Sequence, residues 1–374
     1  MNTQLVVARS RIVQLIRQWF DGQGFTEMIT PRMVGVPGQE PYLEPFWSEV
    51  MEPSSHVPRP ASLVTSPEYA MKRLLAAGLD KIYDLGPCFR NHEPWDGTHD
   101  PEFLMLEWYR RDAGLEELMK DTEAMIKWVT EKFIDEARSP KPGVRHDELR
   151  ASGSGLRSAP FRRLTVEDAW RQYAGVELAP LLGDREALAK VAVEKFNQTV
   201  TPDDDWDDIY FKVFLSAIEP HLGWEEPDFE SRISNFERGV GERQDSKFEI
   251  RYSFCPTFLY RYPASQASLS RKCSDDPRWA ERVELYVGDY ELANGFAELC
   301  DADEQRKRFD EERALRAKLG KKTWPSDERF LADLPKMGNA AGIAFGVERL
   351  VMLLTGSESI NDILPFPARE RFVG

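Results

Sequence analysis

The side chains of this sequence best suited to chemistry are arginines and carboxylates set among aromatics. One stretch, Cys88 to Arg111 (CFRNHEPWDGTHDPEFLMLEWYRR), joins an Arg-bearing run to a run of carboxylates and aromatics through a polar loop. Phe103, Met105, Glu107 and Tyr109 recur at every second residue, so a strand would present all of them on one face. Arg90 stands where the loop begins, and a guanidinium can grip a phosphate in bidentate fashion. Glu107 and Tyr109 offer acceptors to a cation. The pattern predicts a strand-loop-strand hairpin that holds a phosphate and lines a pocket for a cationic small molecule. An amphipathic edge hairpin with Glu107 in water has the same pattern.

A second constellation lies in Ala280 to Leu299 (AERVELYVGDYELANGFAEL), which reads as two antiparallel strands about a Gly288-Asp289 turn. Glu284 and Glu291 flank the turn and Glu298 follows. Carboxylates in so apolar a hairpin, if they face a buried site, require a partner such as a metal or an amine. A third runs from Gly342 to Leu354, a small-residue strand entering an apolar helix with Arg349 near its start. That helix start and Arg349 can form an anion site, and tight strand-helix packing uses the same glycines. Glu68, just after Pro67, either complements a helix dipole or holds an amine at the lip of the hairpin. Ala264 to Ser268 is either a ligand-approach loop or a plain turn.

These groups need elements to position them. Ile12, Leu15, Ile16, Trp19 and Phe20 fall at helical spacing, interrupted by Arg9, Arg11 and Arg17, which predicts a docked amphipathic helix rather than a signal peptide. A short strand is expected over Phe25 to Pro31, ended by proline. Residues 32 to 60 read as irregular chain with a short strand near Leu43 to Phe46 and no evident chemistry. A strand at Ser62 to Pro67 then leads into a helix over Glu68 to Ala77. Residues 114 to 137 are an amphipathic helix, 138 to 160 a linker or long loop, and 166–173, 185–196 and 206–222 are helical, as in an insertion between two halves of one domain. Residues 223 to 250 are acidic and weakly periodic. Thr257 to Pro263 is strand-like, and Asp301 to Lys322 is a charged helix with no evident site.

The 374 residues are 41% hydrophobic and 30% charged, enough for a globular protein with a sizeable core. No apolar run reaches membrane-spanning length. Cys88, Cys255, Cys273 and Cys300 are scattered with no CxxC pair, which argues against a zinc site or disulfide framework and points to a reducing cytoplasm. A formal net charge of -15 argues against extended wrapping of nucleic acid, although a local basic patch stays open. Neither a Walker A sequence nor a GxGxxG after a strand is present, so a nucleotide would not bind in P-loop or Rossmann fashion.

Three segments, in order, resemble the signature motifs of class II aminoacyl-tRNA synthetases: the helix and strand ending at Pro31, Phe89-Arg90-Asn91 to Pro101-Glu102-Phe103, and Gly346-Val347-Glu348-Arg349-Leu350. Within the class, Thr65 to Leu74, Phe103 to Tyr109 and Glu291 to Phe296 resemble lysyl-tRNA synthetases. Pro263 to Leu269 and Glu291 to Leu299 resemble more closely their truncated paralogues, which ligate (R)-beta-lysine onto elongation factor P. The resemblance covers nearly the whole chain. It implies an α+β fold with a central antiparallel sheet flanked by helices, a single catalytic domain over 1–374 with a helical insertion and linker at about 138–250, and a homodimer. The first helix begins near residue 9, leaving no room for an N-terminal OB-fold, so tRNA charging is the weaker expectation. A tRNA synthetase for lysine, a ligase for another amine acceptor and a non-catalytic regulatory paralogue are the rival readings.

The resemblance further implies ATP and Mg2+. It gives Arg90 to the alpha-phosphate, Phe103 to adenine, Arg349 to the gamma-phosphate side, and Gly346 and Leu292 to the nucleotide. Glu284 and Glu291 would hold magnesium; Glu107, Tyr109 and Glu298 the side-chain ammonium; and Glu68 the other amine, with Ser66 and Asn294 nearby. Ala344 stands where lysyl-tRNA synthetases carry glycine and the beta-lysine ligases alanine, which favours beta-lysine over alpha-lysine. The chain departs from the pattern in its loop. One extra residue leaves either His92 or Glu93 as the acid that contacts ATP, and Asp100 replaces an asparagine. Glu348 likewise replaces an aspartate.

Overall fold

The computed structural model describes residues 2–54, 56–138, 154–225 and 254–372. Most of the expected linker at 138–160 and of the acidic stretch at 223–250 therefore lies outside the described residues. The N-terminal helix, Thr3–Gly22, starts where the Asn2 side chain accepts the Gln4 N–H at 3.1 Å, an ordinary N-cap. Its apolar stripe is buried as expected: Ile12, Leu15, Ile16, Trp19 and Phe20 face the core. There Phe20 stacks on Tyr83 with ring centroids 4.7 Å apart and meets Trp108 edge-on at 5.3 Å.

That helix covers a sheet whose strands run, in spatial order, Thr26–Glu27, Lys81–Phe89, Glu102–Arg111, Ala340–Gly346, Tyr290–Ala297, Trp279–Val287, Thr257–Pro263 and Arg162–Thr165. The central strands pair antiparallel as expected, but both edge strands pair parallel, so the sheet is mixed. Directly paired residues share a face. One row crosses the sheet as Asp84, Glu107, Ala344, Asn294 and Glu284. The next row reads Ile82, Tyr109, Gly342, Phe296 and Arg282. A bulge between Leu285 and Tyr286 then pairs Tyr286 with Glu291 instead of Leu292. Strict alternation would turn Glu291 away from Asn294; the bulge returns it to the same face as Glu284.

Three expected strands differ, and the one expected at Ser62 to Pro67 lies at Pro58–Leu63. The strand over 25–31 shrinks to Thr26–Glu27, because Thr30 donates its N–H and hydroxyl to Asp84 at 3.0 and 2.8 Å and Arg32 ion-pairs the same carboxylate, leading the chain off the sheet. The strand near Leu43 lies instead at Trp47–Met51, paired with Pro58–Leu63. Arg316, fully buried on the charged helix Ala302–Lys318, takes the carbonyls of Glu40 and Leu43 at 2.9 and 2.7 Å and holds that chain irregular. The helix expected to lack a site thus shapes one. The helices between residues 166 and 217 bury a core of their own, with Trp170, Tyr210 and Phe214 packed against Leu259, Tyr262 and Tyr286 of the outer sheet. The helix expected over 206–222 ends at Ala217, ahead of Pro220, and continues as a single 3-10 turn, Glu219–His221.

Candidate active site

A cavity of about 330 Å³ opens on the face that carries the two rows. That volume suits a small ligand. Its wall combines the hairpin, the start of the Glu68–Ala76 helix and the Tyr290–Ala297 and Ala340–Gly346 strands. Of the expected amine-binding residues, Ser66, Glu68, Glu107, Asn294 and Ala344 line it. On the expected nucleotide side, Arg90, Glu93, Asp100 and Phe103 line it from the hairpin, and Glu291, Leu292, Gly346 and Arg349 from the opposite wall.

The two arginines give one end its character. The Arg90 guanidinium lies 5.1 Å from the centroid of the Phe103 ring, a cation-π stack that fixes its plane. Arg349 donates to the Glu291 carbonyl at 2.5 Å, with His99 Nε2 at 3.5 Å. Neither has a carboxylate partner within ion-pair distance among the described residues. In a chain of net charge -15, two guanidiniums left unpaired in one cavity make an anion site.

The other end is acidic. Glu107 is only 1% exposed; Ser66 donates its hydroxyl at 2.6 Å and Tyr109 at 2.8 Å. Burial, followed by the nearby charge of Glu68, pushes the Glu107 carboxyl up to about 8. Tyr109 does not line the cavity. Its ring lies across Gly342, where any Cβ would collide with it, and so it orients Glu107 from behind.

Glu298 also sits behind the wall rather than on it. The unforeseen Lys72, 2% exposed, ion-pairs Glu298 at 2.6 Å and Glu68 at 2.5 Å. Burial opposes the charge of Lys72, but the two carboxylates outweigh it and raise its pKa, while burial raises Glu298 to about 8. Of the two carboxylates that Lys72 pairs, Glu68 also lines the cavity and Glu298 does not.

Of the expected metal pair, Glu291 lines the cavity and Glu284 does not. Glu284 accepts from the Tyr262 and Tyr286 hydroxyls at 2.5 and 2.6 Å and from Arg282 at 2.5 Å. Glu291 is pushed up to about 7, first by burial and then by Glu284. Among the described residues no three His, Cys, Asp or Glu side chains cluster as a metal site. One free and one engaged carboxylate still fit magnesium, which takes one or two protein oxygens and the rest from phosphate and water.

Two loop expectations change. His92 is exposed, with φ 62°, and does not line the cavity, whereas Glu93 does. Asp100 lines the cavity, but its oxygens are taken by the Ala368 N–H at 2.7 Å, the Glu102 N–H at 3.1 Å and Arg371 at 2.5 Å, so it anchors the loop to the C-terminal segment. Besides Lys72, the sequence reading missed Arg282 and Glu40. Lys72 had a signal, four residues after Glu68 in one helix, and Arg282 shares the alternation of Glu284. Glu40 had none, since it lies on irregular chain.

One carboxylate joins the three signature-like segments. Arg9 of the N-terminal helix donates to Glu348 at 2.7 Å, and Glu348 also accepts the Leu104 N–H of the hairpin at 3.1 Å. Residues 1–370 match the family model described as tRNA synthetases class II (D, K and N). The chain belongs to this family. Its curated relatives include the elongation factor P--(R)-beta-lysine ligase of Proteus mirabilis (strain HI4320), 35% identical over 97% of this chain and 94% of the relative. Relatives of the same name from Photorhabdus laumondii and Yersinia enterocolitica are each 33% identical, over 96% and 97% of this chain and 94% of theirs. In this class II synthetase chain Glu348 reaches both the N-terminal helix and the hairpin.

Proposed function

We propose that this protein is an ATP-dependent ligase that activates (R)-beta-lysine as an aminoacyl-adenylate and transfers it to a lysine side chain of elongation factor P. The observation that carries this reading is one cavity with unpaired Arg90 and Arg349 at one end and the buried Glu107 at the other. That polarity suits a molecule with a carboxylate to be adenylylated and ammonium groups to be held.

In the first step a carboxylate oxygen of the amino acid attacks the alpha-phosphorus of ATP and pyrophosphate leaves. In the second the acceptor amine attacks the acyl carbon, loses a proton and releases AMP. No side chain of the enzyme becomes covalently bonded. Arg90 balances charge at the alpha-phosphate with its plane set by Phe103, and Arg349 does so toward the gamma-phosphate. Glu93 faces the nucleotide, and Gly346 and Leu292 border it. Glu107, held by Ser66 and Tyr109, accepts the terminal ammonium; Glu68 and Asn294 lie near the inner one. Glu291, with Glu284 behind it, would hold magnesium, which supplies charge neutralisation on the phosphates.

A cytoplasmic homodimer belongs to the same reading. All four cysteines are free, and no described helix is long and apolar enough to cross a membrane. The decisive experiment is mass spectrometry of elongation factor P after incubation with the protein, ATP and (R)-beta-lysine. A gain equal to one beta-lysyl group is expected. No gain, together with charging of total tRNA by lysine, would replace this reading with a tRNA synthetase.

A further inference from the structure

The cavity holds a carboxylate that neither the proposed mechanism nor the resemblance uses. Glu40 lines it beside Ser66 and Glu68, and the same three border an adjoining space of about 30 Å³, room for a single water. Most other lining carboxylates are engaged: Glu68 with Lys72, Glu107 with Ser66 and Tyr109, Glu348 with Arg9, and Asp100 with Arg371. Glu93 and Glu291 lie toward the nucleotide end. Glu40 is left on the amino-acid side with no side-chain partner among the described residues.

Its position is built. Arg316 holds the Glu40 carbonyl at 2.9 Å, and the carboxylate folds back over Gly38, where a Cβ would collide with Oε2. Its surroundings are the charges of Glu68, Arg90 and Arg316, and burial raises its pKa. Glu312 lies within electrostatic reach and is itself raised to about 8, first by burial and then by the charge of Glu40. Glu40 thus shares the wall with Ser66 and Glu68 and also feels the charge of Arg90, which places it on the stretch of cavity between Glu68 and the arginine.

We propose that Glu40, together with Glu68, binds the ammonium nearest the reacting carboxylate of a diamino acid, and so determines specificity for substrates that carry that second amine. The assignment rests on the reading of the protein as a beta-lysine ligase and extends it to a residue on otherwise irregular chain. Its chemistry is selective in an asymmetric way. A substrate lacking the inner amine leaves Glu40 desolvated and unpaired, which costs more than the lost contact itself.

The test uses the full-length protein and pyrophosphate exchange with (R)-beta-lysine and with 6-aminohexanoate, which lacks the inner amine. Glu40→Gln is expected to reduce the preference for beta-lysine, as a ratio of kcat/KM values, by about 10- to 100-fold, the range of a charge-assisted hydrogen bond. Gly38→Ala, which keeps the charge but displaces the carboxylate, is expected to reduce the same ratio, and Glu40→Asp to restore part of it. An unchanged ratio, with both substrates losing equally or neither losing, overturns the proposal. Calorimetric titration of the wild type with beta-lysine, alpha-lysine and ornithine separates the two readings. Binding of another diamino acid but not beta-lysine removes the ligase reading and moves the Glu40 ratio to that ligand; binding of none removes both.

Discussion

At the scale of single residues, the legible part of the site was the part carried by regular alternation. Phe103, Met105, Glu107 and Tyr109 could be grouped because a period of two needs only the sequence. Lys72 was not, because an i,i+4 pair on a helix ordinarily lies in water, and only the buried Glu298 on a distant strand makes it an internal ion pair. Two outcomes follow from single side chains. Arg90→Lys keeps the charge but loses the planar fork stacked on Phe103; pyrophosphate exchange should fall by roughly 100-fold or more, with the melting temperature unchanged. Ala344 lies between Glu107 and Asn294 in the row across the sheet. Its methyl sets how near a substrate can approach that row. Ala344→Gly should therefore shift the beta- to alpha-lysine ratio toward alpha-lysine by about 1 to 3 kcal/mol, read from exchange rates with each isomer.

At the scale of elements, the sequence could name the strands but not their register. The hairpin about Gly288-Asp289 and the strand entering Val347 were evident, whereas the bulge that turns Glu291 toward Glu284 has no local signature. Pairing with a remote strand decided it. The displaced strand at Trp47–Met51 has a similar cause, since Arg316 comes from 273 residues beyond Leu43 to hold the preceding chain. Close approach between strands gives the prediction at this scale. Tyr109 crosses Gly342, so Gly342→Ala must move the ring that orients Glu107. The overpacking should cost about 1 to 3 kcal/mol in chemical denaturation and raise KM for the amino acid, while KM for ATP stays near its original value. Equal increases in both KM values would place the disturbance elsewhere.

At the scale of the whole molecule, the fold was legible because its segments keep the order of a known family, and the helices between 166 and 222 were readable from their periodicity even where their ends were not. What the sequence could not convey is how much like charge the fold encloses. Glu107 and Glu312 are raised to about 8 and Glu291 to about 7, all by burial first. Between pH 4.5 and 8 the folded protein thus binds more protons than the unfolded chain, so stability falls as pH rises through this window, by about 1.4 kcal/mol per unit for each proton of difference. Lys72 does not offset the slope: its raised pKa contributes stability that is fully present below 10.5. Asp96 and Asp276, lowered to about 2, contribute theirs above the ordinary carboxylate range and are likewise constant here. The ligand-free protein should therefore melt at a lower temperature at pH 8.5 than at pH 6. A diamino acid reverses the electrostatics, because its ammonium groups favour the ionised carboxylates. Binding at pH 7 should release protons, visible as a dependence of calorimetric heat on buffer ionisation enthalpy, and KM should fall as pH approaches 8. Glu107→Gln should lessen both the proton release and the pH dependence of KM; proton uptake on binding would contradict the assignment of this cavity to an ammonium ligand.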